Sequence, residues 1–436
     1  MKKSIAVFIL LFIFTIYAIL PVNAQEPEIN SPSAILIDAS TGRILFEKNI
    51  HEKMYPASIT KIMTAVLALE KGNLDDMVTA SYNSVMSIDA GSSNIGLLPE
   101  EQLSLENLLY GLMVNSANEA ANIIAEHISG SIDEFVNLMN QRAKELGAYN
   151  THFVNTNGLH DDNHYTTAYD MTLIAKHAMT FPKFREIVQT IIYELPPTNK
   201  MKEIRYLSNT NLLINYYKSR KYIYEPAIGI KTGYTSKAGH TLVAAAKKGD
   251  LELISVVMCA KLEGNKNYCY EDTIALFQYG FNDFSIQTVV KSNDVVHEVT
   301  VEEAKDNQHV LLLTEKSLSA LLPDKVDKSL IVPTINLIDE IKAPVKKNVI
   351  LGSVSYTYQN QLLGEVNLIA DRDVESDPIL VIKNRLIQFA NKKWVKYTGM
   401  VILSLFLIRI AVLKLSPARK RSYRRRKVRN YRYIHK

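Results

Sequence analysis

The chain has 436 residues, of which 47% are hydrophobic and 22% are charged. This length and composition predict two or three globular domains with hydrophobic cores, and they exclude a fibrous or largely disordered protein. The formal net charge is +5, but residues 419–436 contain ten of the 50 lysines and arginines and no acidic residue. The basic character therefore belongs to the C-terminal tail, which argues against a nucleic-acid-binding face on the folded domains.

The N-terminus has the pattern of a secretory signal peptide. Lys2 and Lys3 precede an apolar stretch at residues 5–20, and Val22-Asn23-Ala24 offers a small-residue cleavage site. This pattern predicts a signal peptide over residues 1–24 and an exported mature protein. An uncleaved anchor helix is the alternative that the sequence leaves open.

Residues 25–284 are predicted to form an α+β domain in which an antiparallel sheet is covered by helices. Two β-like runs flank the turn at residues 39–42 and predict a hairpin. Apolar residues at helical spacing follow, and strands and one helix come after residue 231. The predicted strands are residues 34–38, 43–47, 240–247 and 251–260, and the predicted helices are residues 58–70, 105–128, 132–146, 167–179 and 270–279.

The first candidate catalytic element is Ser58 with Lys61, placed where a helix is predicted to begin. Three residues apart on a helix, the Lys61 amine lies on the same face as the Ser58 hydroxyl. A serine hydroxyl needs a base before it becomes a good nucleophile, and a lysine amine serves once its pKa is depressed. Such a quartet also occurs by chance at helix starts, where the serine is only an N-cap.

The second candidate element is Ser116-Ala117-Asn118, within the predicted helix 105–128. A hydroxyl and a carboxamide in an apolar stretch need polar partners, which they find most easily if they face a cleft. The triplet alone is more commonly a pair of helix-surface residues.

The third candidate element is Lys231-Thr232-Gly233, followed by Tyr234. A cation and a hydroxyl can bind the carboxylate end of a substrate, and a glycine permits close approach of a substrate backbone. The alternative is a strand-end turn with a solvated lysine. Each of the three elements is a weak signal alone, but their occurrence together in this order strongly supports a catalytic site.

The two cysteines, Cys259 and Cys269, are too few for a disulfide framework and lack the spacing of a zinc site. We expect free packing residues, although a single bridge stays open. The segment His160-Asp-Asp-Asn-His164 has the composition of a metal site, but it falls in a predicted loop, and we expect no metal and no other cofactor.

Residues 285–382 change character to short β-like runs and predict a smaller β-rich domain without catalytic residues. After it, an apolar segment at residues 397–413 lies between Lys396 and Lys414. We expect a transmembrane helix over residues 397–415, with the basic tail, residues 416–436, in the cytoplasm. A nucleic-acid-binding tail is the alternative, but a topology signal explains the same charges without a partner.

With these elements in view, the sequence resembles the serine-type D-Ala-D-Ala carboxypeptidases, which are low-molecular-mass penicillin-binding proteins of the β-lactamase and transpeptidase-like superfamily. The resemblance rests on the three elements and on residues 56–65, 110–126, 153–159 and 169–171. It covers residues 33–371, including the β-rich domain.

The resemblance implies an enzyme that removes the terminal D-alanine from peptidoglycan stem peptides and thereby acts on the cell wall and cell shape. Ser58 would be the acylated nucleophile and Lys61 its general base, and Ser116 would pass the proton to the leaving amine. The substrate-binding residues would be Asn118, Lys231, Thr232, Gly233 and Tyr234.

The resemblance further implies an oxyanion hole made by the backbone amides of Ser58 and Tyr234. β-Lactam antibiotics would acylate the same serine, the catalytic domain would lie outside the cytoplasmic membrane, and no nucleic acid would bind. Where some members of the family place an arginine for the carboxylate, this chain has Thr210, and Lys261 is an alternative.

Two other functions share these elements. A serine β-lactamase of class A uses a loop glutamate with an asparagine four positions later, and no glutamate between Ser116 and Lys231 has one. A penicillin-binding sensor would keep the acylating serine without releasing the acyl group, and the sequence leaves it open.

Overall fold

The computed structural model describes residues 26–89 and 91–415. The predicted signal peptide and the predicted cytoplasmic tail lie outside these residues. The chain divides into two compact units. The unit that contains the candidate catalytic residues, here called the catalytic unit, runs to Gln287 and also contains Ser319–Ile331, and the second unit contains Thr288–Leu318 and the residues from Val332 onward.

Strands occur throughout both units. In chain order they are β1 Ser33–Asp38, β2 Ile44–Lys48, β3 Met77–Thr79, β4 Gln102–Ser104, β5 Ile192–Leu195, β6 Arg205–Ser208, β7 Ala227–Thr235, β8 Gly239–Lys248, β9 Leu251–Ala260, β10 Leu262–Glu263, β11 Lys266–Asn267, β12 Phe284–Val290, β13 Val295–Thr300, β14 His309–Thr314, β15 Leu318–Pro323, β16 Ile331–Leu337, β17 Ile350–Tyr358 and β18 Gln361–Ala370.

Most of the helices belong to the catalytic unit. In chain order the α-helices are α1 Lys61–Lys71, α2 Tyr82–Met86, α3 Leu105–Val114, α4 Asn118–Ser129, α5 Ile132–Glu145, α6 Ala168–Ala178, α7 Pro182–Gln189, α8 Tyr268–Asn282, α9 Pro378–Asn391 and α10 Lys393–Leu415, and short 3₁₀ turns occupy Ala57–Thr60, Lys305–Asn307 and Lys328–Leu330.

The catalytic unit is built on a five-stranded antiparallel sheet in the order β2-β1-β9-β8-β7. Side chains alternate between its two faces, as the strand period of two requires. Ile35, Val243 and Val256 belong to one hydrophobic cluster together with helices α1, α3, α4, α5 and α6. Leu36 and Leu242 belong to a second cluster with α8. Helices therefore cover both faces, and the predicted antiparallel sheet covered by helices is confirmed.

The predicted hairpin at residues 34–47 is confirmed as β1 and β2. The predicted continuous helix over residues 105–128 is wrong, because α3 ends at Val114 and α4 begins at Asn118. Between them Ser116 has a φ of 67°, in the left-handed region. Apolar residues continue at helical spacing on either side of this break and concealed it, although Asn and Ser are weak helix formers.

The second unit contains a five-stranded sheet in the order β13-β14-β18-β17-β16. This confirms the predicted β-rich character. Helices α9 and α10 follow this sheet in the chain. The segment Lys393–Lys414 of α10 is long and apolar enough to cross a membrane. At 1.5 Å per residue, its 22 residues span about 33 Å, close to the thickness of a bilayer's hydrocarbon core. The helix begins four residues earlier than the predicted segment.

A glycine contact in the catalytic unit fixes the turn that precedes α1. Ala57 has a φ of 51°, and Gly158 has a φ of +88°. A Cβ atom added at Gly158 would lie 1.9 Å from the carbonyl oxygen of Ala57. Two features therefore favour glycine at position 158. Its backbone has a positive φ, and a side chain there would collide with the turn at Ala57.

Substitution of this glycine tests the contact. Gly130 has a similar φ of +80° with nothing within 4 Å of an added Cβ, so it is a matched control. We expect Gly130→Ala to lower the free energy of unfolding by about 1 to 2 kcal/mol, the cost of a left-handed backbone. Gly158→Ala should cost about 1 to 3 kcal/mol more because of the overpacking. Equal losses in urea unfolding experiments would contradict this account.

Candidate active site

Ser58 lies in the 3₁₀ turn Ala57–Thr60 immediately before α1. The turn is held against the sheet, because the Thr241 hydroxyl donates to the Pro56 carbonyl over 3.0 Å. A Cβ added at Gly233 would lie 2.9 Å from the Ser58 amide nitrogen. Gly233 thus lets β7 approach the serine turn. The sequence predicted a contact of Gly233 with substrate and did not predict this contact within the protein.

The Lys61 amine lies at the centre of the site and has no exposed surface. Its Nζ is 2.9 Å from Ser58 Oγ, 2.6 Å from Asn118 Oδ1 and 2.7 Å from the Asn157 carbonyl oxygen. The predicted pairing of Ser58 with Lys61 is therefore present, and a loop residue that the sequence did not single out completes the set.

These three contacts determine which way a proton can move. The Asn118 and Asn157 oxygens can only accept hydrogen bonds, and a neutral amine has two N–H groups and one lone pair. A neutral Lys61 amine that donates both N–H groups to those oxygens would have its lone pair left for the Ser58 hydroxyl, 2.9 Å away. In that form Lys61 can accept the serine proton.

Burial makes the neutral form of Lys61 accessible. Desolvation holds the pKa of Lys61 well below its usual value, and the charge of Lys231 lowers it further, while Glu119 opposes both effects. The Glu119 carboxyl is itself buried, and desolvation raises its pKa although the Ile95 amide donates to it over 2.7 Å.

Ser116 and Asn118 lie at the break between α3 and α4, not inside a helix as predicted. The break is tied to the preceding loop, since the Asn118 amide donates to the Ser93 carbonyl over 2.9 Å. The Asn115 side chain donates to the Asn94 carbonyl over 3.1 Å. Ser116 is nearly buried and stands two residues from the carboxamide that binds Lys61.

Lys231, Thr232 and Gly233 lie on β7, the edge strand of the sheet. Lys231 is buried, and its amine donates to the Thr232 carbonyl over 2.9 Å. Desolvation first and the charge of Lys218 second lower the pKa of Lys231 to about 7. The Thr232 hydroxyl is 2.7 Å from that of Thr210, so Thr210 reaches the site.

The other predicted residues differ in exposure. Tyr234 is 61% exposed and its ring lies 4.6 Å from that of His240. Lys261 is exposed just after β9, and no side-chain partner is seen for it in the described part of the chain. Cys259 and Cys269 are both free, as expected.

His164, at the end of the metal-like segment, has a different use. It is buried, its Nδ1 accepts from the Val154 amide over 3.1 Å, and its Nε2 lies 2.9 Å from Thr60 Oγ1. Desolvation lowers its pKa to about 3, so the ring is neutral at ordinary pH. A neutral ring that accepts at Nδ1 carries its proton on Nε2, which then donates to Thr60. His164 therefore supports the serine turn.

Residues 21–262 match the family described as D-alanyl-D-alanine carboxypeptidase, and residues 284–376 match the C-terminal domain of penicillin-binding protein 5. The chain is 34% identical to the D-alanyl-D-alanine carboxypeptidase DacF of Bacillus subtilis, over 81% of this chain and 88% of the relative. It is 30% identical to DacC of Escherichia coli, over 83% and 86% of the two chains.

Solved structures agree with these matches. Penicillin-binding protein 5 from Haemophilus influenzae superposes with a TM-score of 0.61 at 29% identity, covering 81% of this chain and 99% of its own. The DD-transpeptidase of Streptomyces K15 gives 0.54 at 30% identity, over 59% and 99%. The chain therefore belongs to the D-alanyl-D-alanine carboxypeptidase family of serine peptidases.

Proposed function

We propose that the chain removes the terminal D-alanine from peptidoglycan stem peptides through an acyl-enzyme on Ser58. The observation that carries the proposal is the 2.9 Å contact between the Ser58 hydroxyl and a completely buried Lys61 amine. The proposed catalytic domain spans residues 25–284, and residues 285–382 form the proposed β-rich domain.

In the acylation step, Ser58 Oγ attacks the carbonyl carbon of the penultimate D-alanine while Lys61 Nζ takes the hydroxyl proton. The negative charge that develops on the carbonyl oxygen is stabilised by the backbone amides of Ser58 and Tyr234. The close approach of Gly233 to the Ser58 amide supports this pairing, because Tyr234 is the next residue on β7.

Departure of the terminal D-alanine needs a proton on its amine. Ser116 gives its hydroxyl proton to the amine and takes the proton that Lys61 removed from Ser58, which returns Lys61 to its neutral form, while Asn118 holds the substrate amide. With Asn118 Oδ1 on Lys61, its Nδ2 remains available to donate to a substrate carbonyl. Lys231 and Thr232 bind the terminal carboxylate, with Thr210 beside Thr232. Water then attacks the Ser58 ester, with Lys61 again as the base, and the shortened peptide leaves.

Turnover of a peptide tests the proposal against its rivals. The purified protein should release D-alanine over many cycles from a diacyl-lysyl-D-alanyl-D-alanine peptide and should spare the same peptide ending in L-alanine. Ser58→Ala should release none and should take no fluorescent penicillin, because the atom that forms the ester is gone.

Three outcomes would contradict parts of the proposal. Covalent labelling of folded Ser58→Ala would refute the nucleophile. Release of one D-alanine per enzyme with a stable adduct would indicate a sensor, and fast penicillin hydrolysis without peptide cleavage would indicate a β-lactamase.

The two buried lysines predict a bell-shaped dependence of kcat/KM on pH. Lys61 acts when neutral, so kcat/KM rises as pH rises through its lowered pKa. Lys231 binds the carboxylate when protonated, so kcat/KM falls as pH rises through its pKa of about 7. Because kcat reports the enzyme–substrate complex, where a bound carboxylate stabilises the Lys231 charge, its falling limb should lie at higher pH. A flat profile for both parameters would contradict the lysine base.

We further propose that α10 anchors the protein in the cytoplasmic membrane with the catalytic unit outside. Four apolar side chains of α9, those of Ile379, Ile382, Leu386 and Phe389, are exposed at spacings of three, four and three residues. Such a stripe suits a helix that lies on the membrane surface before the span.

In intact protoplasts, an added protease should digest the catalytic unit and leave a tag placed after Lys436 protected. Digestion of the tag would refute this topology.

A further inference from the structure

A cavity of the catalytic unit has a volume of about 490 Å³. Its lining comes from residues 52–55, from Asp162 and Tyr165, from Lys237 and Ala238, and from Pro32 and Cys259. The catalytic steps above use none of these side chains, so the cavity has no assigned purpose.

The cavity adjoins the site on two sides along the chain. Tyr55 precedes Ser58 by three residues, and Lys237 follows Tyr234 by three. Because three residues span at most about 10 Å, the backbones of Tyr55 and Lys237 both lie within about that distance of the proposed oxyanion hole. A stem peptide whose carboxylate lies at Lys231 and Thr232, and which continues along β7 in the direction of Lys237, would bring the residue before the two D-alanines near this cavity.

The cavity presents unmatched charges of both signs. Within residues 26–89 and 91–415, neither the Lys237 ammonium nor the Glu52 carboxylate has a side-chain partner, and both residues are exposed. The other two charges are engaged: Asp162 accepts from the Tyr55 hydroxyl over 3.3 Å, and the Lys53 amine lies 4.1 Å from the centroid of the Tyr165 ring. Met54 and Ala238 contribute apolar lining.

We propose that this cavity binds the diamino-acid side chain of the stem peptide, and that it selects a side chain whose end carries both an ammonium and a carboxylate. The ammonium pairs with Glu52 and the carboxylate with Lys237, while the methylene groups pack on the apolar lining. A lysine side chain ends in an ammonium alone and leaves Lys237 without a partner. The inference rests on the proposed function, since it assigns a subsite for the same substrate.

Three peptides that differ only in this residue test the inference on the full chain in detergent. Each is an N-acyl peptide ending in D-alanyl-D-alanine, preceded by meso-diaminopimelate, by lysine with a free ε-amine, or by norleucine. We expect kcat/KM to be highest for the diaminopimelyl peptide. Lys237→Glu should lower that value about tenfold, the effect of losing about 1.4 kcal/mol of charged contact, and should leave the lysyl peptide unchanged or better.

Glu52→Gln should lower kcat/KM for both charged peptides and leave the norleucyl peptide unchanged. The matched controls are Lys248→Glu and Asp250→Asn. Lys248 ends the ten-residue strand β8, about 30 Å from Gly239 at its start, and Asp250 lies in the turn that follows. They should change none of the three values. The rate of penicillin labelling should be the same in all variants and reports that each is folded.

Equal kcat/KM values for the three peptides, a preference for lysine, or a preference that survives both Lys237→Glu and Glu52→Gln would overturn the subsite while leaving the carboxypeptidase function standing. Failure of the wild-type protein to cleave any of the peptides would overturn the proposed function, and the subsite with it.

Discussion

The site depends on one lysine amine that is buried among three oxygen atoms. Lys61 lies at the start of α1, Asn118 at the start of α4, and Asn157 in the loop before α6, so three separate segments meet at one nitrogen. A charged ammonium in this setting would lack water, and its desolvation would cost several kcal/mol. In its neutral form the amine can direct both N–H groups at carbonyl oxygens and leave its lone pair for the Ser58 hydroxyl.

The surrounding polar groups keep these three segments in place. Thr64 donates to the Thr156 carbonyl over 2.6 Å, and the Thr156 hydroxyl donates to Asn122 over 2.6 Å, which joins α1, the loop and α4 beside the amine. Glu119 joins α4 to the loop at Ile95. Since a buried polar group without a partner costs about 1 to 3 kcal/mol, each bond also penalises displacement of its segment. The positive φ of Ser116 is thus supported from several sides.

The sequence predicted the sheet well and the site in part. The nearly continuous burial of β1, β8 and β9 follows from runs of apolar residues, which a sequence displays directly. The third ligand of the Lys61 amine is a backbone carbonyl, that of Asn157, and any residue type could supply it. The break before Asn118 escaped detection because apolar spacing continues across it, while loop contacts made far along the chain maintain it. The packing of Gly158 and Gly233 on the serine turn is equally a matter of tertiary approach.

The two lysines place opposite demands on one site in the proposed mechanism. Lys61 must be neutral to accept a proton, and Lys231 must be charged to hold a carboxylate, yet burial lowers the pKa of both. The charge of Lys231 lowers the pKa of Lys61, but a carboxylate bound to Lys231 carries the opposite charge and offsets this effect. A substrate with a free C-terminus would therefore hold the proton on Lys231 with little net effect on the Lys61 base, and one without it would leave Lys231 free to lose its proton.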